Sequence, residues 1–211
     1  MPIGGPREVS TSHDQKVPRR RAGRYDRELR AMKGLTLTQP WATLVAIGAK
    51  SIETRSWSTS YRGPIAIHAA KGFPKWASET CGDDPFRTEL QKAGVTFRAQ
   101  PVRHWYHSPY PYRLDGGLPI GAIVAVATLV EVVLTGDMQN RIGHGGKVFL
   151  GARGTWDLTA QEGAFGDFAP GRYAWMLGHV IRLPEPIPCK GELGLWTVPV
   201  EIESRILETT R

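Results

Sequence analysis

A chain of 211 residues, 41% apolar and 22% charged, is long enough for one well-packed domain with appendages and short for two. Its 24 glycines and 16 prolines exceed ordinary usage, which points to many turns and short strands and excludes a helical bundle. The longest apolar run, residues 120–134 (IGAIVAVATLVEVVL), carries Glu131 inside it and falls short of the roughly 18 residues of a membrane span, so it reads as a buried strand.

No hydrophobic segment follows the N-terminal charges, so a secretory signal is not expected. Two cysteines, Cys81 and Cys189, make neither a disulfide framework nor a metal-ligand spacing, and a reducing, cytoplasmic setting is expected. The net charge of +7 is unevenly placed: residues 1–33 hold nine Lys/Arg against four Asp/Glu, a net +5. Residues 1–30 read as a flexible basic leader that can add salt-sensitive attraction to phosphate.

The domain proper, residues 31–200, opens with a strand over 34–38. Thr38-Gln39-Pro40-Trp41 marks a helix start, with Thr38 or Gln39 at the N-cap and Pro40 in the first turn. Trp41, Leu44, Val45 and Ile47 form its apolar stripe, and Gly48 stops it. An extended stretch over 51–57 follows, then a turn at 61–64 and a strand over 65–70 with Ile65 and Ile67 on one face and His68 on the other. Residues 72–117 read as an insertion, with short helices over 76–80 and 86–93 and an aromatic, Pro-rich, irregular stretch over 100–117. A long buried strand over 121–134 leads to a Gly-rich, polar loop over 135–171 that can serve as a lid. A strand over 172–183, a closing segment with Trp196 and a tail over 201–211 complete the chain. This order lacks regular βα alternation. It predicts an α+β fold, a small mixed or antiparallel β-barrel with helices packed at its side.

The segment 48–55, GAKSIETR, sets three charges directly after the helix stop. In an extended chain Glu53, Arg55 and Trp57 share one face and Ile52 and Thr54 the other, with Lys50 able to swing over the first. Glu53 can accept from an exocyclic amine, Arg55 can hold a phosphate or orient Glu53, and Trp57 can stack on a base. On spacing alone, a surface ion pair between Glu53 and Arg55 is the better account. His68 and Lys71, close behind the 61–64 turn, add polar groups at the same sheet end.

The run LTLTQPWATLVAIGAKSIETRSWSTSYRGPIAIHAAK resembles the start of an ASCH domain, whose hallmark G-x-K-x-x-E-x-R is matched by Gly48, Lys50, Glu53 and Arg55. The Gln39-Pro40-Trp41 tripeptide, the run from Arg62 to Lys71, and the segments LPIGAIVAVATLVEV and RYAWMLGHVIRLPEPIPCKGELGLW are also similar to it. The resemblance covers about 34–71 and 118–199. It implies a PUA-like barrel with a cleft between barrel and helix, lined by Gln39, Trp41, Lys50, Glu53, Arg55, Trp57, His68 and Lys71. It implies an RNA or nucleoside-like small molecule as partner, with no cofactor and no metal. Some relatives are amidohydrolases of N4-acetylcytidine, and one has been proposed as a ribonuclease. In a hydrolase, Lys50 would be base or stabiliser and Glu53 the general acid–base. Those amidohydrolases carry threonine at the position of Glu53, and the glutamate favours binding over their chemistry. A protein-interaction scaffold is the third reading.

Three other features carry less. Residues 143–147, GHGGK, lack the glycine and hydroxyl spacing of a phosphate loop. His104 and His107 with Cys81 lack a second close pair for a metal. Trp105, Tyr106, Tyr110 and Tyr112 could stack on bases or pack on the barrel.

Overall fold

The structure is a computed structural model of the chain, and it describes residues 1, 31–99, 112–137, 139–140 and 147–210. The chain divides into two units, 1–31 and 32–211. The leader expected over 1–30 lies outside the described residues apart from Met1, as do residues 100–111 and 141–146. His104, His107, Trp105, Tyr106, Tyr110 and most of the GHGGK segment fall in those ranges.

The first elements are β1 (Lys33–Leu37), α1 (Trp41–Ala46), β2 (Ile52–Arg55) and β3 (Gly63–Ala69). The region of the insertion holds α2 (Lys75–Thr80), α3 (Phe86–Lys92), β4 (Phe97–Ala99) and β5 (Tyr112–Leu114). Then come β6 (Ala122–Leu134), a 3-10 turn (Thr135–Asp137), β7 (Gln139–Asn140), β8 (Lys147–Gly151), β9 (Gly154–Leu158) and α4 (Ala160–Ala164). The chain closes with β10 (Tyr173–Pro188), β11 (Leu195–Thr197) and α5 (Val200–Thr209).

Six strands form one mixed sheet in the order β11-β1-β3-β6-β10-β2. The β1–β3 pair is parallel and the other four are antiparallel. The sheet curls into a half-barrel with helices alongside, the expected α+β architecture. Alternation along the strands divides the core. Leu35, Leu37, Ile65, Ile67, Trp175 and Leu177 bury toward Ala42 and Val45 of α1. Ala66, Ile123, Leu183 and Trp196 pack on the other side with Met32 and Ile206. A third cluster joins Leu44 of α1 to Phe86 and Leu90 of α3, with Cys81, Leu118 and Phe165.

At six residues α1 is too short to persist alone, so its burial between two clusters and its ends must hold it. Pro40 stands at the N-cap rather than inside the first turn, and the Gln39 amide oxygen accepts from the Thr43 N–H at 3.1 Å from one residue further out. At the other end Gly48, at φ +76°, turns the chain out while its N–H meets the Val45 carbonyl and the Ala49 N–H meets that of Leu44. This is the glycine stop the sequence predicts, in Schellman form.

Three expected stretches differ, the first being the irregular run over 100–117, of which residues 112–114 form β5 and pair with β4. The loop over 135–171 is not featureless: β7, β8 and β9 make a three-stranded antiparallel sheet, and α4 follows it. The strand-forming run VFLGARGTWDL around a two-residue turn explains the hairpin, since residue 151 pairs with residue 154. The tail expected over 201–211 is mostly α5, which buries Ile206 and accepts the Met32 N–H on Glu203 at 3.3 Å.

Candidate functional site

β11 pairs with β1 only from Lys33 to Leu35, and the edge of β1 beyond that is free of a strand partner in the sheet. At the far end of the sheet lies β2, paired on one side only, with β10. Arg55 of β2 spans this gap, its Nη2 donating to the Thr36 carbonyl oxygen at 2.8 Å. The opening left between β1 and β2 is a cavity of about 440 Å³ lined by Thr36, Leu37, Thr38, Glu53, Thr54 and Arg55. Trp41, Trp76 and residues 164–167 complete its wall.

The motif residues meet as the period-two reading expects. Glu53 stands opposite Trp175 and Arg55 opposite Tyr173 on β10, so both carboxylate and guanidinium lie on the barrel-core face. Lys50 is 1% exposed. Its Nζ donates to the Ile52 carbonyl, to the Phe165 carbonyl at 3.1 Å, and lies 3.5 Å from Glu53 Oε2. Glu53 Oε1 is 3.2 Å from Arg55 Nε, an ion pair rather than an aligned hydrogen bond. A carboxylate thus lies between two cations, one buried beneath it and one at the cavity rim. That pairing offsets the cost of withdrawing Glu53 from water and leaves its remaining lone pairs for a ligand.

A strap that sequence reasoning read only as a possible lid builds the opposite wall. Thr159 caps α4 by accepting from the Glu162 N–H at 3.0 Å. The buried Glu162 carboxylate accepts from the N–H groups of Ser51 at 2.8 Å and Ile52 at 2.6 Å. Burial pushes the Glu162 carboxyl above its usual range, against the pull of the Ile52 and Ser51 amides and the Lys50 charge. The Phe165 carbonyl accepts from Trp41 Nε1 at 2.7 Å as well as from Lys50, and the Asp167 N–H donates to Thr54 Oγ1 at 3.2 Å. Glu162 was invisible in sequence because one glutamate in a polar stretch has no periodic partner. Its only local signal is the T-x-x-E spacing from Thr159, a capping box.

Of the other predicted site residues, Trp41 alone lines the cavity. Gln39 is fully buried and structural, its Nε2 donating to the Pro119 carbonyl at 2.6 Å while its oxygen caps α1. Trp41 does line the cavity, but its indole is fixed against Phe86 and the Phe165 carbonyl. Trp57 packs edge-on against Trp175 at 4.6 Å between ring centres and does not line the cavity. His68 is buried behind β1, its Nε2 2.9 Å from the Cys189 carbonyl oxygen and its ring edge-on to Trp196. Burial lowers its pKa, with the Cys189 carbonyl opposing. Lys71 is exposed past the end of β3, beside Gly121.

No group of three or more metal-ligating side chains gathers among the described residues, and no described helix is long and apolar enough to cross a membrane. Burial pushes the Cys81 thiol up to about 12, and its Sγ donates to the Ala77 carbonyl inside the third cluster.

The family model for the ASCH domain matches residues 35–142, just over half of the chain. Two solved structures are similar to it in fold. One is ASCH from Zymomonas mobilis, at 13% identity and a TM-score of 0.44, covering 86% of this chain and 97% of that one. The other is a point-mutant form of the Zymomonas mobilis protein, at 14% identity and a TM-score of 0.42, covering 86% and 100%. No curated protein matches the chain. With the family model spanning 35–142 and the motif residues Lys50 and Arg55 both paired with Glu53, the chain belongs to the ASCH domain family.

Proposed function

We propose that the chain binds RNA or a nucleoside in the opening between β1 and β2. The observation that carries this reading is the Glu53 carboxylate, poised between Lys50 and Arg55 on the wall of a cavity of about 440 Å³. A cavity of that size suits a small flat ligand, and an acceptor-only group beside a guanidinium suits a base edge that offers hydrogens next to an oxygen. The hydrolase reading draws less support. The Lys50 ammonium is occupied by the Ile52 and Phe165 carbonyls and by Glu53, which makes it a positioning residue rather than a base.

Titration of short single-stranded RNAs and nucleoside monophosphates by calorimetry tests the proposal. Binding should be detectable and should weaken at least tenfold in Glu53→Ala while the circular dichroism spectrum is retained. Absence of binding to every RNA and mononucleotide would overturn it. Release of acetate from N4-acetylcytidine, or cleavage of RNA, lost in Lys50→Ala, would replace it with the hydrolase.

A further inference from the structure

The base-binding reading leaves open which base fits, and the arrangement around Glu53 discriminates among them. We propose that the cleft takes guanine, stacked on Trp76 and read along one edge by Glu53 and Arg55; this rests on the nucleoside-binding reading.

The first observation is Trp76. It is 57% exposed, on the short helix α2, yet it lines the same cavity as Glu53. A large apolar side chain left in water at a cavity wall is the informative exception to burial. Its neighbour Trp41, 5.7 Å away between ring centres and tilted by 47°, is held by the Phe165 carbonyl and by Phe86. The fixed indole backs the exposed one, so a ring platform stands ready for a flat ligand without rearrangement.

The second observation is the order of polar groups. Lys50 lies against Oε2 of Glu53 and Arg55 against Oε1, so the carboxylate presents two adjacent acceptors with a cationic donor beside the second. Guanine has the complementary order along its Watson–Crick edge: the N2 amino group, the N1–H and the O6 acceptor. Placing N2 on Oε2 and N1 on Oε1 brings O6 toward Arg55. Cytosine and adenine each place a ring-nitrogen lone pair beside their amino group, which a carboxylate repels. Uracil flanks its single N–H with two carbonyl oxygens, which it also repels. One donor edge fits and three do not, and mismatched buried polar groups discriminate strongly.

The test is calorimetric titration of the full chain with GMP, IMP, AMP, CMP and UMP, which share the phosphate and differ in the base. GMP should bind most tightly. IMP, which keeps N1–H and O6 but lacks the amino group, should bind about tenfold more weakly, and the other three more weakly still. Trp76→Ala should weaken GMP tenfold or more, and Trp76→Phe should keep most of the affinity. Being exposed, both changes leave the fold intact. Glu53→Gln, one donor and one acceptor, should lose the preference of GMP over AMP; the IMP comparison serves if that variant fails to fold. Equal affinity for all five, or tightest binding of a pyrimidine, overturns the guanine assignment while leaving nucleoside binding in place. Undiminished GMP binding by Trp76→Ala overturns the stacking platform. No binding of any mononucleotide or single-stranded RNA removes both readings together.

Discussion

At the scale of single residues the motif divides into a buried support and an accessible acceptor. Lys50 is nearly sealed from water, and its ammonium satisfies two backbone carbonyls and a carboxylate. Replacing it by methionine fills much the same volume but strips all three of their donor. Removing one partner of a buried charge network costs roughly 3 kcal/mol or more, so Lys50→Met should lower unfolding stability by about 3 kcal/mol in urea titration. A variant as stable as the parent would show that the network holds nothing in place. Glu53 and Arg55, by contrast, retain surface at the cavity, and changes there should act more on ligand than on fold. Sequence reading reached this trio because β-strand period two puts positions 53 and 55 on one face whatever the tertiary context. It also grouped Gln39, His68 and Trp57 with the trio, though they do not line the cavity, because a polar or aromatic side chain near a motif looks alike whether it faces a ligand or closes a turn. Only the Pro119 and Cys189 carbonyls and the Trp175 ring, distant in sequence, tell the two apart.

Two elements carry predictions of their own. The α4 strap is pinned to the start of β2 by Glu162, whose carboxyl is raised above its ordinary value of 4.5 chiefly by burial. The folded chain therefore holds that proton more tightly than the unfolded one. Stability from this group is full below about pH 4.5 and is lost as pH rises through the raised folded value. Glu162→Gln keeps an acceptor for the Ile52 N–H and cannot titrate. The melting temperature of the parent relative to this variant should fall between pH 4 and pH 7, and parallel curves would remove the assignment. On α1, Thr43 is buried at a cavity of about 300 Å³ with no hydrogen-bond partner for its hydroxyl among the described residues. A buried unsatisfied hydroxyl costs on the order of 1 kcal/mol, so Thr43→Val should raise stability by about that amount in the same urea titration. The helix itself was legible from the Gln39-Pro40 start, the stripe of Leu44 and Val45 and the Gly48 stop. The small sheet of β7–β9 was not, because glycine and polar residues around it outweighed its short β-prone runs.

For the molecule as a whole, the open seam between β1 and β2 explains how a six-stranded sheet holds a cavity without a separate domain. At the seam, where the two facing edges lack a strand partner, Arg55 substitutes for one by meeting the Thr36 carbonyl. A cleft made this way carries few charges beyond the motif, whereas most of the net charge sits far upstream in the chain. Residues 1–33 hold +5 of the total +7, so under the proposed function phosphate attraction and base reading would fall to different stretches of sequence. Counterion release makes phosphate contacts salt-dependent, with a slope near −0.7 per contact for a single strand, while contacts to a base edge depend little on salt. Deletion of residues 1–30 should therefore flatten the plot of log affinity against log salt for a short RNA by about 2 or more. Affinity for a mononucleotide should change little, because the Glu53 site is untouched. An unchanged RNA slope would place the phosphate contacts on the folded unit instead, and a lost mononucleotide affinity would tie the leader to the cleft itself.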